Sequence, residues 1–303
     1  LKSFSIQNKH IRAVFLEYGA LLHQLWVKDM NGNPVNVIMG LDQPEDYLSD
    51  KWARGAVMGR FAGRLQNPIQ IEEKTFEIEH VNNVLLHSGS SGWHQKKWNA
   101  LTQTDPLEIV FEIKCEEGNS GFPGKVNARV SYRLEESSLH IHYHAVPTAA
   151  TPINMTNHAY FNLNPENTIG SHKLEIDADQ YLELNEQLVP TGNKLKVNNT
   201  PFDFRAEKVL NQTRLDDYFV INQNKIAIAS LYAPETGITM KTFTDQPGVV
   251  VFTPPHFEAI CFETQKFSNT PNISSFPSTL IKAHQHYNHQ TRFEFSVRNE
   301  SQK

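Results

Sequence analysis

The sequence predicts an all-β protein, one large antiparallel β-sandwich domain spanning residues 1–303, and three observations carry that reading. Val126, Ala128, Val130, Tyr132 and Leu134 alternate with Lys125, Asn127, Arg129, Ser131 and Arg133, the period of two that a half-buried strand needs. Helical periodicity is nearly absent. Turn residues recur throughout, and no linker, repeat or low-complexity tract divides the chain.

The elements follow in order. A strand pair is expected around Asn31-Gly-Asn-Pro34 and another within Ile69 to Ile78. After Leu134, the polar stretch Glu135-Glu-Ser-Ser138 turns the chain, and alternation resumes at Leu139, Ile141, Tyr143 and Ala145. That is an antiparallel hairpin with one face in a core. Arg205 to Leu210 is the one segment expected to form a short helix. His140, His142 and His144 occupy the outer face of the second hairpin strand. A His-x-His-x-His strand can bind a metal, but no carboxylate or Cys cluster accompanies these three, so a solvated polar face is expected. His284, His286 and His289 are read the same way, as a solvated terminal strand.

The bulk numbers exclude several partners. A formal charge of −5 argues against nucleic acid and anionic membrane. No apolar run approaches the roughly 18 residues of a membrane span. Leu1-Lys-Ser-Phe-Ser-Ile6 lacks the apolar core of a signal peptide. Cys115 and Cys261 are isolated and show no metal-ligand spacing. The expectation is a cytoplasmic protein with reduced thiols, a monomer or homodimer, needing neither cofactor nor metal.

Five polar clusters interrupt the strand pattern: Gly59-Arg-Phe-Ala-Gly-Arg64, Asn82 to Gly89 with His87, Thr156 to Asn162, Leu215-Asp-Asp-Tyr-Phe-Val220, and Cys261 to Asn272. Singly, each has an ordinary structural reading: an ion pair for the Arg, a backbone-bonded turn for His87, a turn for Asp216-Asp217. Glu263 is harder to dismiss, because an ionised carboxylate between Phe262 and Phe267 needs compensation if buried. His158, beside Tyr160, stands in a similar setting. Together the clusters supply a base, an acid, a cation and a second carboxylate near aromatic rings. Such parts suit a neutral polyhydroxylated substrate, whose hydroxyls take charged partners and whose CH faces stack on rings.

The order and spacing of these clusters resemble the aldose 1-epimerase (galactose mutarotase) family over nearly the whole chain. Pro152-Ile-Asn-Met-Thr-Asn-His-Ala-Tyr-Phe-Asn-Leu163 is close to that family's Pro-x-Asn-Leu-Thr-Asn-His-Ser-Tyr-Phe-Asn-Leu. Gly59-Arg-x-x-x-Arg64, Leu86-His87-x-Gly89, Leu188-x-Pro-Thr-Gly192, Thr244-x-Gln-Pro-Gly248 and Cys261-x-Glu-Thr-Gln265 follow in family order. The resemblance implies the galactose mutarotase-like supersandwich and cofactor-free interconversion of the α and β anomers of free aldoses. It implies Glu263 as the base on the C1 hydroxyl and His158 as the acid on the ring oxygen, with the imidazole charged and the carboxylate ionised at rest. Arg64, His87 and Asp216 would hold the other sugar oxygens and Tyr160 would line the pocket. Asp216 is taken over Asp217 because the family's Asp stands three residues before the Phe that here is Phe219.

Three positions depart from the family pattern. Gly63 stands where Asn is frequent, Asp217 where His is common, and Val250 where Gln often lies. These changes bear on the choice of sugar; sheet core is the other reading of Val250. Two other functions fit the same fold: a hexose-phosphate mutarotase, with Arg54, Arg60 and Arg64 as a phosphate clamp, and a non-catalytic sugar binder. A glycosidase would need two carboxylates flanking the bond, and the resemblance gives Asp216 to binding.

Overall fold

The alternation around Val130 folds as the hairpin it implies. Val126–Glu135 and Ser138–Pro147 pair antiparallel from Val126↔Pro147 to Glu135↔Ser138, and Val126, Ala128, Val130, Tyr132 and Leu134 are all buried. The turn is made at Glu136, in the left-handed region at φ 47°. The Asn31–Pro34 and Ile69–Ile78 segments also form antiparallel pairs, Leu21–Lys28 with Pro34–Asn36 and Ile69–Ile71 with Lys74–Phe76.

In this computed structural model, residues 1–166, 168–222 and 226–298 are described. Two large antiparallel sheets dominate them. The nine-stranded sheet runs Asn99–Ala100, Glu108–Cys115, Val126–Glu135, Ser138–Pro147, Tyr287–Val297, Ile238–Thr244, Ala229–Tyr232, Lys173–Ile176 and Lys208–Val209. The six-stranded sheet runs Tyr160–Phe161, Ile260–Gln265, Gly248–Phe252, Asp216–Val220, Gln180–Leu184 and Pro190–Lys196. One apolar core draws on both, with Phe111, Val130 and Ile141 from the first and Phe219, Val249, Val251 and Phe262 from the second. Phe161 and Phe293 meet across it at 4.9 Å between ring centroids. Each such ring buried contributes about 1.5–3 kcal/mol, so the core fixes which face of each strand turns away from it.

Two expectations are corrected. Arg205 to Leu210 is not a helix; Lys208–Val209 pairs with Lys173 and Leu174 at the edge of the large sheet, and the Arg205 guanidinium is held by Asp203 and Asp179. The helices of the described residues are short 3₁₀ turns, the longest Pro44–Ser49. His289 is not solvated. It lies on the inward side of Tyr287–Val297, 2% exposed, its ring stacked on Tyr143 at 4.5 Å. Its Nδ1 lies 3.1 Å from the Met155 carbonyl, and its Nε2 3.2 Å and 3.1 Å from the Thr264 and Thr291 hydroxyls. Those partners are what a buried imidazole requires. His142, His284 and His286 are exposed as expected, and His140 and His144 are half-buried on the outer face.

Candidate active site

The strand Ile260–Gln265 is buried throughout, and its alternation divides the burden. Ile260 and Phe262 enter the core, and Thr264 bonds Thr291 and His289 behind the sheet. Cys261, Glu263 and Gln265 take the opposite face. Register sets their neighbours: Tyr218, Val250 and Glu263 form one cross-strand row, and Asp216, Phe252, Cys261 and Tyr160 the next. Side chains directly opposite share a face. Gly248 leaves room for the Tyr218 ring, whose Cε1 a Cβ there would meet at 2.3 Å.

Over these rows lies a cavity of about 390 Å³ that brings together all six expected site residues, Arg64, His87, His158, Tyr160, Asp216 and Glu263. That volume suits a small ligand. His158 follows the Thr156–Asn157 strand, whose Asn157 amide turns the other way to Gly55 and Tyr132. Arg64 starts the strand Arg64–Gln66, paired with Val84–Leu86, and that pairing delivers His87 at the next residue.

His158 Nε2 lies 3.4 Å from Glu263 Oε1, with the two side chains 8% and 5% exposed. Burial is the main influence on both groups. It pushes Glu263 up to about 8, with Asp216 adding to the shift and Arg64 opposing it. It pushes His158 down to about 3, with His94 adding to the shift. Both changes favour neutral forms. That direction runs against the charged pair that the resemblance implies. Glu263 Oε2 has no protein partner, and His158 Nδ1 faces Cys261 Sγ at 3.6 Å.

His87 adopts φ 49° and forms a reciprocal pair with Gly63: its N–H donates to the Gly63 carbonyl, and its Nδ1 accepts the Gly63 N–H at 3.1 Å. Burial, with His158 and His94 nearby, holds His87 well below the usual imidazole range. A neutral ring whose Nδ1 accepts must carry its proton on Nε2, so His87 is a donor. His87, His158 and Glu263 offer ligand atoms within 4.8 Å of one another. A metal on His87 Nε2 would displace that proton onto Nδ1, against the Gly63 N–H. The donor set fits an oxygen-rich ligand better than a cation.

Arg64 Nη2 stands 3.5 Å from Asp216 Oδ2, so cation and carboxylate are presented together. Tyr160 contributes a ring to the cavity lining; its hydroxyl donates to the Trp52 carbonyl and its ring centroid lies 5.0 Å from that of His158. Asp217 points to the other face of its strand, beside Val251. Burial raises its carboxyl to about 6, with Asp216 adding to the shift, and its side chain is not part of the cavity lining. Val250 does line the cavity, next to Glu263. At Gly63, φ is 82° and a Cβ would fall 2.0 Å from Ser268 Oγ; the serine hydroxyl fills the space a side chain would take.

The supposed phosphate clamp does not assemble. Arg60 is 1% exposed and donates to Pro123 and Glu116 carbonyls and to Thr151. Arg54 lies over the Phe257 ring at 4.0 Å. Of the three arginines only Arg64 lines the cavity. Sequence reasoning missed Trp52, His94, Tyr218, Gln265 and Ser268, which also line it. Tyr218 and Gln265 carried a signal, lying two residues from Asp216 and Glu263 on the same strand faces; Trp52 carried none.

An antiparallel sandwich with a buried carboxylate–imidazole pair in a ring-lined cavity is an arrangement suited to acid–base chemistry on a small ligand. The chain belongs to the aldose 1-epimerase family, whose model matches residues 2–294, and it is an isomerase of the mutarotase type. It is 30% identical over 326 residues to galactose mutarotase from Bos taurus, covering 98% of this chain and 94% of that protein. It is 26% identical to aldose 1-epimerase from Escherichia coli, covering 95% and 93%. The crystal structure of an aldose epimerase homologue from C. elegans superimposes with a TM-score of 0.94 at 26% identity, over 98% of this chain and 99% of that one.

Proposed function

We propose that this protein interconverts the α and β anomers of free hexoses such as galactose or glucose, with Glu263 and His158 as the proton-transfer pair. The 3.4 Å contact between them inside the cavity carries the reading. A hemiacetal has its hydroxyl and its ring oxygen on one carbon, so an acid and a base that work on it must stand side by side. Glu263 takes the proton of the C1 hydroxyl as the C1–O electrons form a carbonyl. The bond from C1 to the ring oxygen breaks, and His158 protonates that oxygen. Rotation about C1–C2 and reclosure with the roles exchanged give the other anomer. The pair needs one proton between its members, and a sugar hydroxyl donating to Glu263 favours its carboxylate and moves that proton to His158.

Arg64, Asp216 and the His87 Nε2–H take the remaining oxygens, and Tyr160 offers a ring to a CH face. The relatives' names support galactose as a substrate. A free rather than phosphorylated sugar is favoured because Arg64 is paired with Asp216 and the other two arginines lie outside the cavity. A sugar binder without activity would have no use for the His158–Glu263 pair. The same reading takes a free sugar as the partner, needs no cofactor, and places the chain in the cytoplasm as a monomer or homodimer. Polarimetry of freshly dissolved α-galactose and α-glucose tests the proposal. Faster approach to the same final rotation with protein supports it; an unchanged rate for every aldose tried defeats it.

A further inference from the structure

We infer that Gln265 binds a sugar hydroxyl remote from C1 and helps to determine which sugar this site accepts. The inference rests on the cavity being an aldose site. Gln265 is fully buried, lines the cavity, and has no protein partner for either amide atom. Among the described residues it is the one side-chain amide with both its nitrogen and its oxygen buried and unpaired. Folding leaves such a group unmatched only at a price in stability, and native proteins almost always supply a partner. The missing partner must both donate and accept, which one hydroxyl does.

Placement argues for the same ligand. Gln265 shares a strand face with Glu263, two residues and about 6.6 Å further along. That is the scale of a sugar ring with its hydroxyls, so an aldose with C1 at Glu263 presents another hydroxyl towards Gln265. Two neighbours do not serve the amide. Tyr218 donates its hydroxyl to the Gln265 main-chain carbonyl, not to the side chain. Gly63, whose Cβ position lies 3.6 Å from Gln265 Nε2, has no side chain to offer. Beside Glu263 the floor is apolar Val250, so Gln265 supplies the polar contact that this part of the floor lacks.

The test compares wild type with Gln265→Leu, which removes both polar groups at similar volume, on galactose, glucose and their monodeoxy analogues. The expected result is a KM raised about tenfold for the parent sugars, with kcat within about threefold and no fall in Tm. For one deoxy sugar, wild type and variant should have equal KM, which identifies the hydroxyl. A KM within about twofold of wild type for every sugar, or a lowered Tm with equal loss on all deoxy analogues, overturns the inference and makes Gln265 structural. Gln265→Met serves if the leucine variant does not fold. Wild-type turnover with an indifferent Gln265→Leu defeats this inference alone. No turnover and no sugar-induced change in Trp fluorescence by the wild type defeats the aldose reading as well.

Discussion

Val250 stands directly opposite Glu263 in the antiparallel register, its side chain in the cavity and its neighbours Val249 and Val251 in the core. The apolar run Val249 to Phe252 is therefore not core on both faces: every second residue is floor. A hydrocarbon beside the proposed base keeps water from the carboxyl, in line with burial as the main cause of its raised pKa.

Val250→Gln should lower KM for galactose while kcat changes less, because the new amide would touch substrate and transition state alike. One hydrogen bond is worth roughly 0.5–1.5 kcal/mol net. Steady-state kinetics check this, and an unchanged KM removes the position from substrate contact.

The pH profile follows from the opposed shifts. Below about 3 both members of the pair hold protons and the base is lost; above about 8 both are bare and the acid is lost. Activity should be level through neutrality and fall by about tenfold per pH unit beyond about 8. In His158→Asn the alkaline limb should vanish, and the residual rate should rise with pH as Glu263 ionises. A variant profile that overlays the wild type excludes His158 as the acid.

His87→Asn should separate two roles. An amide oxygen can still accept the Gly63 N–H, but the Nε2–H is gone. Tm should hold while KM rises about tenfold, as for one lost hydrogen bond. A large Tm loss with unchanged KM would make His87 a loop residue only.

Gly63→Asn should not simply restore a polar contact. At φ 82°, with Ser268 Oγ in the way, it should destabilise the protein by about 1–3 kcal/mol. Adding Ser268→Gly should recover part of that, measured by denaturant unfolding; no recovery would mean the backbone alone is responsible.

Much of this was legible because strand alternation reports a core on one side. The same rule gave the hairpin at Val126, and it separated Asp216 from Asp217 once their strand was known. Applied to Tyr287, Thr291, Phe293 and Phe295 it would also have placed His289 inside; its polarity masked that, since the compensating Thr264 and Met155 are remote in sequence. Lys208–Val209 is a strand only because the edge at Lys173 offers pairing, which no local pattern announces. Arg54, Arg60 and Arg64 look alike in sequence, and only the fold sends one to the cavity, one to a ring and one to buried carbonyls. The opposed pKa shifts of His158 and Glu263 depend on burial, which follows from tertiary packing.

The most direct test of the central claim is exchange NMR between α- and β-galactose, with wild type and with Glu263→Gln, which keeps the shape of the side chain and removes the base. Wild type should speed exchange, and the variant should lose about 10²–10⁴-fold of that rate with an unchanged circular dichroism spectrum. Near-wild-type exchange by the folded variant would contradict the assignment of Glu263 as the base.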